Sequence, residues 1–186
     1  MKHVFTFFAA SFVLLLSLTT FPVQAQEVES FAVGDRRPLS WAKAEPFFVV
    51  VERRCRTVTV YRHGVWDAQY RGAVFGREDG PKVHEGDRRT PNGLYRMQGR
   101  RLHPRWSRFL LLDYPNAADR AANQAAREAG RTDSGPGGAI GIHGTDEPTL
   151  NREHVDWTLG CISLQNADVD DLYSRVPEGT PVWIRP

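Results

Sequence analysis

The chain has 186 residues and carries 24 Lys and Arg against 22 Asp and Glu, a formal charge of +2. Removing Lys2 with the leader described next leaves 24 − 1 = 23 basic residues against 22 acidic ones, or +1, which argues against a nucleic-acid-binding surface. No Cys-x-x-Cys or His-x-x-x-His spacing occurs, so nothing points to a zinc site.

Lys2 and His3 precede an apolar run from Val4 to Leu18, which ends in Thr19-Thr20-Phe21-Pro22-Val23-Gln24-Ala25. Small residues at Val23 and Ala25 mark residues 1–25 as a secretory signal peptide cut before Gln26, and the run is short for a bilayer-spanning helix. The mature chain, 186 − 25 = 161 residues, is expected to be exported and free of the membrane, and suits one domain with a real core. Residues 26–46, with Gly34, Pro38 and Trp41, read as a polar N-terminal extension without nameable chemistry.

Phe47-Phe48-Val49-Val50-Val51 and the alternating Thr57-Val58-Thr59-Val60-Tyr61 read as strands, and Arg62-His63-Gly64 turns into a third run over 65–75. Residues 82–93 form a long polar loop, most simply a solvated connection, that enters a strand at Leu94–Met97. Phe109–Asp113 does not alternate and reads as a strand buried on both faces. Asn116 offers an N-cap for a helix over 117–129 stopped by Gly130. A glycine-rich loop over 135–138 leads to a short strand at Ala139–Ile142, which puts His143 at a strand end.

Residues 146–156 read as a loop, and Asn166 as the cap of a second helix whose Val169, Leu172, Tyr173 and Val176 share one apolar face. Thr180-Pro181-Val182-Trp183-Ile184 closes the chain as a strand. The result is a mostly-β (α+β) domain, a sandwich or barrel with short helices.

Cys161 follows Gly160 in a turn beside Ile162-Ser163-Leu164, and His143 precedes Gly144-Thr145. A thiol needs a base or positive electrostatics to act as a nucleophile near neutral pH, and His143 is the best placed of six histidines. The residues lie 161 − 143 = 18 apart, so only the fold can pair them. The alternative is a buried structural cysteine and an unrelated histidine. Counting alone would pair Cys55 with Cys161 in a disulfide, but Cys55 lies in the charged turn Glu52-Arg53-Arg54-Cys55-Arg56, which argues against it.

His143-Gly144-Thr145 followed by Thr158-Leu159-Gly160-Cys161 resembles the signature of the L,D-transpeptidase catalytic domain, the YkuD family. Gly86-Asp87, Thr90-Pro91-x-Gly93-x-Tyr95 and Gly179-Thr180-Pro181-Val182 extend the resemblance, which covers residues 47–186. It implies a nucleophilic Cys161, a basic His143 oriented by the carbonyl of Gly144, and an oxyanion hole of the backbone amides of Leu159, Gly160 and Cys161. Thr145, Trp157, Thr158 and Tyr114 are candidate substrate contacts. Many members carry His at the position of Leu159 and Arg or Asn at that of Ser163, so this chain departs from the pattern twice. Residues 113–120 and Asp156-Trp157-Thr158 further resemble a branch that includes murein amidases acting on peptidoglycan-linked lipoprotein, where the helix over 117–129 is either a lid or a surface helix.

The implied reaction is L,D-transpeptidation of peptidoglycan tetrapeptide stems in the periplasm or cell envelope. Cys161 would form an acyl-enzyme that passes to an amine of another stem or to a lipoprotein lysine, with no metal or organic cofactor. The alternatives are a hydrolase, as L,D-carboxypeptidase or lipoprotein-releasing amidase, and a wall-binding protein without turnover.

Overall fold

The computed structural model describes Ala42 and residues 44–186; the expected signal peptide, and the expected extension apart from Ala42 and residues 44–46, lie outside the described residues. Among these run strands β1 (Phe47–Glu52), β2 (Thr57–Arg62), β3 (Val65–Arg71), β4 (Gly93–His103), β5 (Ser107–Leu112), β6 (Gly141–His143), β7 (Ile162–Ser163) and β8 (Pro181–Arg185). The helices are α1 (Ala117–Glu128), α2 (Pro148–Arg152) and α3 (Asn166–Arg175).

The strands form one sheet in the order β3-β2-β1-β8-β4-β5-β6-β7. β1 is covered on both faces, Val49 and Val51 toward the main core and Phe48 and Val50 toward a smaller cluster with Ala42 and Tyr61. That two-sided burial explains its unbroken apolar run. β4 is longer than its sequence suggests and turns partway: residues 93–96 pair with β8 and residues 97–103 with β5, with a register shift between Met97 and Gly99.

The sheet curls until its ends meet. Beyond β3 the chain bends, and Val74 exchanges two backbone hydrogen bonds with Ser163 of β7, at 3.0 and 2.8 Å. The edge of β7 is thereby covered by the chain that leaves the opposite edge strand, and the mostly-β, α+β architecture with short helices is the one expected.

α3 packs on β5 and β6 through buried Val169 and Leu172, each contributing about 1.5–3 kcal/mol of burial. α1 starts as read: Asn116 accepts from the amides of Ala118 and Asp119, and Asp119 accepts from the Asn116 amide at 2.9 Å. Only Asn123 and Ala126 of α1 are buried, and the Asn123 amide donates to the carbonyls of Val83 and Ser134, both at 3.0 Å. α1 therefore braces the loop over 82–92.

Three expectations need correcting. The region read as a loop over 146–156 contains α2, whose five residues are too few to show a period. Asn166 does not cap α3, because its amide is used elsewhere, as described below. The loop over 82–92 is no solvated connection, since Lys82 and Asp87 form an almost fully buried ion pair at 2.8 Å. Asp87 also accepts from the amides of Val83, His84 and Arg89. Burial alone would raise its pKa, but Lys82 and these three amides outweigh that and hold Asp87 below the usual carboxylate range.

Candidate active site

β5, β6 and β7 set one row of side chains across the sheet, because Phe109 lies opposite His143 and His143 opposite Ser163. β6 and β7 run parallel, so continuing the register puts Cys161 opposite Gly141, two positions from His143 and on the same face. The fold thus makes neighbours of two residues 18 apart in sequence.

His143 is 1% exposed. Trp106, at the tip of the β4–β5 hairpin, stacks on its ring at a centroid distance of 4.2 Å, and His103 continues the stack on Trp106 at 4.3 Å. The Phe109 ring lies nearly parallel to that of His143 at 5.9 Å, and Trp157 meets it edge-on at 5.9 Å. The tip is held down by the Trp106 indole, which donates to Asp146 at 2.9 Å, and by the Gly144 amide, which donates to the Trp106 carbonyl at 3.0 Å.

His143 Nδ1 is 2.6 Å from the Gly144 carbonyl, the contact implied by the resemblance. A carbonyl only accepts, so Nδ1 carries the proton and Nε2 keeps a lone pair. Burial pushes the His143 pKa down to about 4, against the opposing pull of the Gly144 carbonyl. The imidazole is neutral at physiological pH.

Cys161 is half-buried, and burial pushes its thiol up to about 11 although the Gly141 amide and Lys82 act in the other direction. Its S–H donates to the Ala139 carbonyl at 3.6 Å rather than to His143. The two are thiol and imidazole at adjacent strands, with no hydrogen bond between them. Cys55 and Cys161 are both free, and Cys55 is exposed.

The turn carrying Cys161 is tied by Thr158, whose hydroxyl donates to the Cys161 carbonyl at 2.7 Å and accepts from the Gly160 amide at 3.1 Å. Of the three amides expected to form an oxyanion hole, that of Gly160 is therefore already engaged in this structure. Gly160 has φ +137°, and a Cβ there would lie 2.7 Å from the Arg89 carbonyl, so the turn admits no side chain. Leu159 is 69% exposed beside the cysteine.

Of the candidate substrate contacts, Trp157 faces His143. The other three are buried with their polar groups occupied. Thr158 ties the turn. Thr145 donates its amide to Asn166 Oδ1 at 2.8 Å, accepts from Asn166 Nδ2 at its carbonyl at 3.0 Å, and accepts from the Glu147 amide at its hydroxyl at 2.8 Å. Tyr114 donates its hydroxyl to the Pro136 carbonyl at 2.8 Å and braces that loop. Asn166 thus clamps the turn after His143, and Gly144 permits it, since a Cβ there would sit 2.2 Å from Asn166 Oδ1.

Sequence reasoning missed Trp106 and Asn151, and treated Asn166 only as a helix cap and Ser163 only as a departure. The Trp157 indole donates to Asn151 Oδ1 at 2.9 Å, Asn151 Nδ2 donates to Ser163 Oγ at 3.1 Å, and Ser163 Oγ donates to the Gly144 carbonyl at 3.0 Å. Among the described residues, no three His, Cys, Asp or Glu side chains converge on a metal-sized site.

Comparison with known proteins gives the chain's family and fold. The family profile described as L,D-transpeptidase catalytic domain (YkuD) matches residues 46–184. A protein of Escherichia coli K12 named "Putative L,D-transpeptidase YafK" is 24% identical over 138 residues, 70% of this chain and 47% of that protein. The chain spans about half the length of the curated relatives it matches. Among solved structures, the helical cell shape determining protein Pgp2 of Campylobacter jejuni aligns with a TM-score of 0.56 and 25% identity, over 75% of this chain and 47% of that one. An L,D-transpeptidase from Mycobacterium smegmatis shares the fold at a TM-score of 0.51 and 15% identity, over 76% of this chain and 59% of that one.

Proposed function

The chain belongs to the YkuD family of L,D-transpeptidase catalytic domains, and from that premise we propose that it is an exported, cysteine-dependent L,D-transpeptidase acting on peptidoglycan tetrapeptide stems during cell-wall remodelling. Residues 1–25 serve as its signal peptide, residues 47–186 as its catalytic domain, and the periplasm or cell envelope as its place of work. The observation that carries this is the buried His143, held by the Gly144 carbonyl on the strand beside the glycine-preceded Cys161. The likeness to a cell shape determining protein supports a role in the wall. Among the described residues no helix is long and apolar enough to cross a membrane.

In the proposed reaction the Cys161 thiol leaves the Ala139 carbonyl and passes its proton to His143 Nε2. The sulfur attacks the carbonyl carbon between the L-centre of a diaminopimelate-type residue and the terminal D-Ala. The amides of Leu159 and Cys161 stabilise the oxyanion, which is worth several kcal/mol in such sites. As the tetrahedral intermediate collapses, the C–N bond breaks, His143 returns the proton to the departing amine of D-Ala, and a thioester remains on Cys161. An acceptor amine then attacks the thioester, His143 takes its proton, and the sulfur leaves and is reprotonated. A neutral imidazole suits this cycle because it can accept in one half and donate in the other.

The test is mass spectrometry of muropeptides after incubation with a tetrapeptide substrate and, separately, with lipoprotein-bearing sacculi, each against Cys161→Ala. Cys161-dependent dimers with released D-Ala are expected. Shortened stems or freed lipoprotein fragments without dimers would replace the transpeptidase with a hydrolase, and no Cys161-dependent product from either substrate would leave a wall-binding protein.

A further inference from the structure

α2 is a helix of five residues in which Asn151 alone is buried, at 1% exposure. A buried amide is costly unless its groups are satisfied, so a helix that buries nothing else is there to deliver it. Its partners fix every polarity along the chain they form. The Trp157 indole can only donate, so the atom of Asn151 facing it is the oxygen, and the Asn151 nitrogen is left to donate to Ser163 Oγ. The Ser163 proton is then directed to the Gly144 carbonyl, which can only accept. That carbonyl receives two donors, Ser163 Oγ–H at 3.0 Å and His143 Nδ1–H at 2.6 Å.

We propose that Asn151, acting through Ser163, is a positioning residue that locks His143 in the tautomer carrying its proton on Nδ1 and its lone pair on Nε2. With both lone pairs engaged, the Gly144 carbonyl cannot swing away from the imidazole, and the opposite tautomer would set a ring lone pair against a carbonyl lone pair. The chain also closes on itself. Trp157, at its far end, meets the His143 ring and lies four residues before Cys161, so the same bonds that orient the base tie down the approach to the nucleophile. Ser163, one of the two departures from the family pattern, supplies the short hydroxyl that lets Asn151 reach the Gly144 carbonyl from behind. The inference deepens the transpeptidase reading and rests on it for its kinetic consequence, though not for the tautomer itself.

Two variants, and a double-variant cycle of Asn151→Ala with Ser163→Ala, test it in the full chain. Asn151→Asp keeps the shape and still accepts from Trp157, but cannot donate to Ser163 and draws the serine proton to itself. Ser163→Ala removes a single oxygen and breaks the chain even if the first variant fails to fold. The free protein is examined by ¹⁵N NMR of the imidazole nitrogens, and acylation by a tetrapeptide stem is followed against pH.

Wild type is expected to show the Nδ1–H tautomer alone, and both variants a mixture. Acylation should slow about tenfold to a hundredfold with little change in KM. The acidic limb of the Asn151→Asp profile should move up by about one pH unit, because a carboxylate behind the site favours the imidazolium. Combining Asn151→Ala with Ser163→Ala should cost no more than either alone. Unmoved nitrogen spectra and pH profiles, or losses that multiply in the double variant, would overturn the role of Asn151. A protein that forms no product yet shows the expected spectra would overturn the transpeptidase reading instead.

Discussion

The two sides of the site are built differently. His143 is stacked against Trp106, flanked by Phe109 and Trp157, and hydrogen-bonded at 2.6 Å to a carbonyl that is itself fixed. Cys161 sits on a turn near the exposed Leu159, half-buried, and its thiol donates a long hydrogen bond of 3.6 Å to Ala139. In the proposed reaction the base is thus pre-organised and the nucleophile loosely held, so the cost of orientation is met in folding on the side that must take and pass on a proton in each half-reaction. The same burial that fixes the imidazole also strips its charge.

The largest break in this comparison comes from removing the proposed base. His143→Gln keeps the side-chain volume close and should lower acyl transfer by about 10²–10⁴-fold, measured as dimer formed per unit time. Next is the effect of pH on folding. The His143 pKa lies near 4 in the fold against an ordinary value of 6.5, so the unfolded chain takes up a proton that the folded one refuses. Stability from this group is therefore complete above about pH 6.5 and declines toward pH 4, by about 3 kcal/mol in all. Denaturant titrations at pH 7, 5.5 and 4.5 should show it, and His143→Leu should lack that window.

Trp106→Ala uncovers the imidazole without touching the cysteine. It should raise the His143 pKa toward its ordinary value and slow acyl transfer about tenfold, seen as an upward shift of the acidic limb of the rate profile. The smallest effect belongs to the nucleophile's turn: Thr158→Val removes a donor to the Cys161 carbonyl and should cost about 1 kcal/mol in thermal or denaturant unfolding. Equal sensitivity of the two sides would erase the contrast between them.

What could be read in the sequence was what depends on near neighbours. The alternation of β2, the Asn116 cap with its Gly130 stop, and the glycines beside His143 and Cys161 all act within a few residues. What could not be read depends on partners brought from far along the chain. Asn166 has the chemistry of a helix cap, but it spends that chemistry on Thr145, 21 residues away. Asp87 looks like a loop carboxylate until Lys82 and three amides are folded around it. Thr145, Thr158 and Tyr114 have side chains suited to substrate, and their inward turn follows from bonds with no local pattern. Trp106 meets His143 only because a hairpin tip folds over β6.

The most direct test of the central claim is intact-protein mass spectrometry after mixing with a tetrapeptide stem, followed by peptide mapping. The account predicts an adduct equal to the stem less its terminal D-Ala, carried by Cys161, absent from Cys161→Ala and slow to form in His143→Gln. An adduct on Cys55, or one on Cys161 that forms equally fast without His143, would contradict it.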